Sequence, residues 1–277
     1  MKKSSVLEEK LKNFNVLIAA HQGLGGGNII LNTIRGMHHA IKQGADVIET
    51  DIARTSDGQY VIFHEDLEER HLMTRKKISD MTAKELSELN LVNSAFVTTD
   101  EKVVTTKEMF SALKGDTLIN LDKCWNYGKE ILEHLDGFHM EDQFIIKGPV
   151  DKTYLQCLMD HKTKYMFMPI IRSMDELELM KRYESERLNT VGYEMIFESI
   201  DEAHIQPEVL KDLKAQGYVL WVNAITLGKG FCLSADLDDD ISVLEDPDKG
   251  WGKLIDMGFD MLQTDWTPLL RAYRSKY

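Results

Sequence analysis

Eight apolar runs of strand length, separated by stretches of helical periodicity, set the tightest limit on how this chain folds. They occupy 16–19, 47–49, 118–122, 144–147, 166–170, 191–195, 219–223 and 261–264, with amphipathic stretches such as 174–187 and 207–216 between them. Strands alternating with helices form βαβ units and a parallel sheet. Eight units within 277 residues predict an α/β fold, a closed (β/α)8 TIM barrel forming one domain over 1–277. In such a barrel the reactive side chains sit on loops at the C-terminal strand ends, where Glu49, Asp51, Asp122 and Lys147 fall. Residues 65–106 break the rhythm. They hold Glu68-Glu69-Arg70-His71 and the helical Ala83-Lys84-Glu85-Leu86 but no comparable strand, and are expected to be a small insertion after the second strand that covers the active face. Leu7, Leu11 and Phe14 recur at helical spacing and predict a short helix closing one end of the domain.

Charge narrows the partners. A net charge of -13 argues against a nucleic-acid groove and against docking on anionic lipid, so an anionic substrate needs local neutralisation by a metal or by placed lysines. With 43% hydrophobic and 29% charged residues, neither disorder nor a membrane span is indicated. Cys124, Cys157 and Cys232 are far apart and lack ligand spacing, which fits structural thiols in a reducing, cytoplasmic compartment and implies no disulfide or zinc site. Met1-Lys2-Lys3 has the charge of a signal peptide's first region, but no long apolar segment follows, so cleavage-dependent export is not expected.

Two acids and a histidine, Glu49, Asp51 and His64, carry most of the information. Ala45-Asp46-Val47-Ile48-Glu49-Thr50-Asp51 reads as a strand, and its period of two puts Glu49 and Asp51 on one face, suited to a hard divalent cation. Asp57-Gly58 signals a hairpin; a two- or four-residue loop centred there pairs Ser56 with Gln59 and Asp51 with His64. Asn120, Asp122 and Cys124 alternate onto one face, making Asp122 the third carboxylate, while Lys123 points away and packs between barrel and helix. Lys147 is the candidate for neutralising a bound anion, with a solvated lysine as the alternative. Glu194 lies in an apolar strand and must meet a cation or a donor. The glycines after His21-Gln22 lack the third glycine of a dinucleotide fingerprint, because Asn28 stands in its place; they suit instead a turn whose N–H groups approach an oxyanion. Asp236-Leu237-Asp238-Asp239-Asp240 begins like a calcium loop but lacks its glycine and distal glutamate, and reads as a solvated loop.

With these residues in place, the chain resembles the glycerophosphodiester phosphodiesterase family. The family's His-Arg-Gly and Pro-Glu-Asn-Thr are similar to His21-Gln22-Gly23 and Ile30-Leu31-Asn32-Thr33, and its Gly-Ala-Asp-x-Ile-Glu-x-Asp-Val to the segment from Gly44 to Ile52. Asp57-Gly58 and His64-Glu65-Asp66 resemble its turn and His-Asp motif. Its C-terminal signature resembles Trp221-Val222-Asn223, then Gly258-Phe259-Asp260 through Asp265 and Pro268. The resemblance implies a barrel that uses one Ca²⁺ or Mg²⁺ to hydrolyse a small glycerophosphodiester to an alcohol and glycerol phosphate. Glu49, Asp51 and Asp122 would hold the metal, and His21 and His64 would be the acid/base pair.

The departures matter. Gln22 replaces the family arginine, a planar fork for phosphate; Leu31 replaces a glutamate; Asp122 stands where glutamate is usual; and Cys124 falls where the family has lysine. Lys147, or Lys123 if the strand is bulged, then supplies the charge. Gln22, Lys123, Glu194 and Trp221 are expected to face substrate, Trp221 being either a wall of the leaving-group pocket or a core aromatic. One alternative is a barrel that only holds a phosphorylated ligand, motivated by Gln22, Leu31 and Cys124. Another is a related phospholipid-cleaving enzyme releasing a cyclic phosphate. A metal amidohydrolase is disfavoured because no His-x-His follows the first strand.

Overall fold

The computed structural model describes residues 3–183, 187–228 and 230–277. Eight parallel strands close into a barrel: β1 (Leu17–Ala20), β2 (Val47–Arg54), β4 (Leu118–Asp122), β5 (Phe144–Pro149), β6 (Met166–Ile171), β7 (Gly192–Met195), β8 (Val219–Asn223) and β9 (Met261–Thr264). Their order is β1-β9-β8-β7-β6-β5-β4-β2, and β1 pairs with β2 to close the ring. All eight predicted strands are these, so the (β/α)8 barrel is observed. A ninth strand, β3 (Tyr60–Ile62), runs antiparallel on the outer end of β2.

Strand alternation builds two apolar layers. Leu17, Ala19, Val47, Leu118, Ile145, Met166, Met168, Val219, Trp221 and Met261 fill the barrel interior. Ile18, Ile48, Ile119, Leu121, Ile146, Tyr193, Leu220 and Leu262 face outward against the helices. The first helix, α1 (Ser5–Asn13), is capped by the Ser4 side chain and sends Leu7 into the interior cluster, with Val6 and Leu11 packed against it. It plugs the barrel as expected, through Leu7 and Leu11, whereas Phe14 of the predicted repeat lies past the helix end and is exposed. The helix α2 (Ile34–Gln43) follows β1; Thr33 caps it and Gly44, at φ 103, ends it.

The 65–106 segment holds α3 (Glu68–Leu72) and α4 (Ala83–Glu88), and leads into α5 (Thr106–Leu113). It carries its own apolar cluster, in which Leu72, Ile78, Met81, Leu86 and Leu91 pack on Ala53, Val61 and Phe63 of the hairpin. The outer layer continues through α6 (Gly128–Asp136), α7 (Lys152–Asp160), α8 (Met174–Tyr183) and α9 (Pro207–Ala215), then α10 (Asp239–Leu244), α11 (Trp251–Met257) and α12 (Thr267–Arg274). Residues 184–186 of the amphipathic stretch 174–187 lie outside the described residues, as do Met1 and Lys2. No helix among the described residues is long and apolar enough to cross a membrane.

Two local expectations fail. The hairpin register is one residue off: Ile52 pairs with Ile62 and Arg54 with Tyr60, so Phe63 rather than His64 meets Asp51, its N–H donating to the Asp51 carbonyl at 3.1 Å. Its loop has three residues, closed by Thr55 against Gln59, with Gly58 at φ 88. The β4 alternation also stops early. Lys123 adopts φ 57, which turns it toward the site and sends Cys124 into the barrel–helix layer, where its Sγ lies 3.4 Å from the Leu121 carbonyl.

Candidate active site

Parallel register brings the acids together. Asp51 on β2 is opposite Asp122 on β4, and Glu49 opposite Asn120. Oxygens of Glu49, Asp51 and Asp122 lie within 4.8 Å of one another. Glu49 and Asp51 are buried. Burial, then the neighbouring Asp51, pushes the Glu49 carboxyl up to about 8. Burial and Asp122 likewise raise Asp51. Asp122 goes the other way, because Lys147 and the Lys123 backbone N–H outweigh its burial. Three converging hard oxygens, two of them on acids whose pKa burial and their neighbours raise, fit a divalent cation of the Ca²⁺ or Mg²⁺ type.

The two histidines flank this triad on different footings. His21 ends the β1 segment and sets Nδ1 2.8 Å from Asp265 Oδ1 at the end of β9. Burial alone would lower its pKa, but the Asp265 bond and the charges of Glu49, Asp265 and Asp51 raise it to about 9. His64 follows β3. Its Nδ1 is 2.7 Å from the Glu65 carbonyl, and its Nε2 is 2.9 Å from Lys123 Nζ.

Lys147 does not reach solvent. Its ammonium bridges Asp122 at 3.2 Å and Glu194 at 3.1 Å, and those acids hold its pKa well above the ordinary value against the effect of burial. Glu194 thus meets both a cation and a donor, Asn223 Nδ2 at 2.6 Å. Lys123 is a correction: its positive φ places it at His64 instead of between barrel and helix. Of the two readings of Trp221, the core aromatic is the one found: it is fully buried inside the barrel, donates to Asn223 and lies under Lys147, 5.2 Å from ring centre to Nζ.

Gln22 is bound to the acids. At φ 53, its N–H donates to Glu49 and its Nε2 to Asp51, both at 2.9 Å. The glycine turn does not form the expected oxyanion cradle: the N–H groups of Gly23, Leu24 and Gly26 donate to the carbonyls of Ala20, Gly36 and Ile29. Gln22, Asn32, His64 and His71 line a cleft backed by Leu31, Phe63 and Leu91, so the insertion supplies one wall of the site.

Sequence reasoning missed three supporting residues. Asn32 donates to Asp51 at 3.2 Å and accepts from Thr50 at 2.9 Å. Asp265 was visible only as part of a motif, its partner lying 244 positions away. Asp239, read as part of a solvated loop, is buried and accepts from Trp251, Thr264 and the Asp265 backbone. Adjacent acids give the same sequence signal whether solvated or buried.

The sequence profile of the glycerophosphoryl diester phosphodiesterase family matches residues 21–226. A glycerophosphodiester phosphodiesterase of Bacillus altitudinis is 23% identical over 223 residues, covering 76% of this chain and 91% of that protein. Among solved structures, a glycerophosphoryl diester phosphodiesterase from Parabacteroides distasonis superposes with a TM-score of 0.76 at 17% identity, covering 99% of this chain and 93% of the other. An Oleispira antarctica phosphodiesterase in complex with the product sn-glycerol-3-phosphate does so with a TM-score of 0.68 at 17% identity, over 96% and 99% of the two chains. At that identity the structural likenesses speak for the fold.

Proposed function

The chain belongs to the glycerophosphoryl diester phosphodiesterase family, and we propose that it hydrolyses a small glycerophosphodiester to an alcohol and glycerol 3-phosphate with one divalent cation and two histidines. The observation that carries this reading is the convergence of Glu49, Asp51 and Asp122 beside His21 and His64. When bound by these three carboxylates, Ca²⁺ or Mg²⁺ neutralises phosphate charge and polarises its oxygens.

The residues divide the proton work. The Glu65 carbonyl only accepts, so His64 carries its proton on Nδ1 and keeps the Nε2 lone pair. That nitrogen takes the proton of the glycerol hydroxyl next to the ester, whose oxygen bonds to phosphorus. His21, kept protonated by Asp265 and the neighbouring acids, donates from Nε2 to the alcohol oxygen as its bond to phosphorus breaks. The product of this half is a cyclic phosphate. Water then opens it, giving a proton to the now neutral His21, while His64 returns its proton to the glycerol oxygen. Lys123 leaves His64 Nε2 as substrate enters and meets the phosphate, in the role the family arginine would have at Gln22. Lys147 and Glu194 then act from below, through Asp122. The free cysteines support the cytoplasmic location that belongs to this proposal.

The test is release of glycerol phosphate from a panel of glycerophosphodiesters, followed by phosphorus NMR with and without a strong chelator. Turnover abolished by the chelator and restored by Ca²⁺ or Mg²⁺ is expected. A cation-loaded protein that binds these diesters and cleaves none would overturn the reading in favour of a binding barrel.

A further inference from the structure

Asp239 spends its buried charge on one turn of backbone. It opens α10 in the connection between β8 and β9, and its own N–H donates to the Ala224 carbonyl at the end of β8, at 2.6 Å. Its Oδ1 accepts from Trp251 Nε1 at 2.8 Å and from Thr264 Oγ1 at 2.7 Å, and its Oδ2 accepts from the Asp265 N–H at 2.8 Å. Thr264 Oγ1, having given its proton to Asp239, accepts from the Trp266 N–H at 2.8 Å. The amides of Asp265 and of the residue after it thus both trace to a single carboxylate.

The same turn carries the aspartate that orients a histidine. Asp265 Oδ1 holds His21 Nδ1, and the Thr264 carbonyl accepts the His21 backbone N–H at 3.2 Å. The Asp265 side chain is 42% exposed, so little packing holds its rotamer and its aim depends on the backbone beneath it. Taking a carboxylate out of water costs several kcal/mol. Here all three partners are neutral donors, and two of them fix the Asp265 turn.

We propose that Asp239 is a positioning residue for the His21–Asp265 pair, holding Asp265 where it accepts the His21 Nδ1–H and leaves Nε2 directed at the substrate. This rests on the reaction assigned above to His21. Asp239 touches no reacting atom; it acts through Asp265, as outer-sphere carboxylates act on imidazoles elsewhere.

Asp239→Asn keeps the shape but replaces one acceptor by an amide that opposes a donor. In the full chain this variant is expected to lose about 10- to 100-fold in kcat with KM little changed. The ring ¹⁵N shifts of His21, read at alkaline pH where the ring is neutral, should move from the Nδ1-protonated tautomer toward a mixture. The double variant D239N/D265N should be no slower than D265N alone, because both act on one contact. A folded D239N with the parent's ring shifts and kcat, or losses that multiply in the double variant, would overturn the proposal. Should D239N fail to fold, Thr264→Val removes only the hydroxyl link: a smaller displacement of the His21 shifts in the same direction supports the role, and unchanged shifts refute it. Failure of the unsubstituted protein to cleave diesters would refute the assigned reaction, and the ring shifts would still decide whether Asp239 governs His21.

Discussion

The ammonium of Lys123 lies 2.9 Å from Nε2 of His64, while the other ring nitrogen of that histidine faces the carbonyl of Glu65 at 2.7 Å. The imidazole is therefore held with one basic nitrogen, and a cation is parked on it that an entering phosphate can draw away. This relationship depends on the backbone reversal at Lys123, which no strand periodicity announces.

His64→Ala is expected to lower kcat by about 10²- to 10⁴-fold, the usual contribution of one positioned base, with the unfolding transition unchanged. Lys123→Met should act mainly on KM, since it removes a phosphate contact and leaves the base in place. Steady-state kinetics on the best diester separate the two. Near-parent turnover by His64→Ala would remove this histidine from the chemistry.

Lys147 is enclosed with Asp122 and Glu194, and the Lys147 and Glu194 side chains are each 3% exposed. Deleting one partner of a buried ion pair costs about 3–5 kcal/mol, because the remaining charge is left uncompensated. Lys147→Met should lose stability on that scale in denaturant titrations, and adding Glu194→Gln should recover part of it. If the two losses simply add, the pair is not coupled.

The pH response of the cation-free protein follows from the raised groups. Glu49 titrates near 8 in the folded chain against an ordinary 4.5, and His21 near 9 against 6.5. Between each pair of values the folded state keeps a proton that the unfolded chain has released, so stability falls as pH rises across both intervals. A bound cation replaces that proton on Glu49 and removes the repulsion. The gain in Tm from saturating Ca²⁺ or Mg²⁺ should therefore be larger near pH 8 than near pH 6; an equal gain at both would contradict the carboxylate assignment.

The barrel was legible because its parallel strands are buried on both faces and so appear as predominantly apolar runs; 118–122, 219–223 and 261–264 match their strands end to end. Glu49, Asp51 and Asp122 were legible for the same reason, as acids at fixed parity on such strands. What escaped were features set by single dihedrals or by distant partners. Gly58 in a three-residue loop moved the hairpin register by one, and the positive φ of Lys123 exchanged its direction with that of Cys124. Asp239 escaped because its donors come from Trp251, Thr264 and Asp265, which only the closed barrel assembles around it.

The N-terminal plug permits fold and chemistry to be separated. Leu7 is fully buried against Leu17, Val47 and Leu118 at the end of the barrel where the strands begin, whereas the acids and histidines lie where the strands end. A buried leucine replaced by alanine leaves a cavity and typically costs about 2–5 kcal/mol. Leu7→Ala should therefore lower Tm clearly in a thermal melt while kcat and KM, measured well below that transition, stay near the parent values. The interior cluster between α1 and Glu49 is closely packed and mostly apolar, so the cavity is expected to stay local. A large fall in kcat for the folded variant would mean that the plug sets the position of the acids, and that the barrel interior is less rigid than its packing implies.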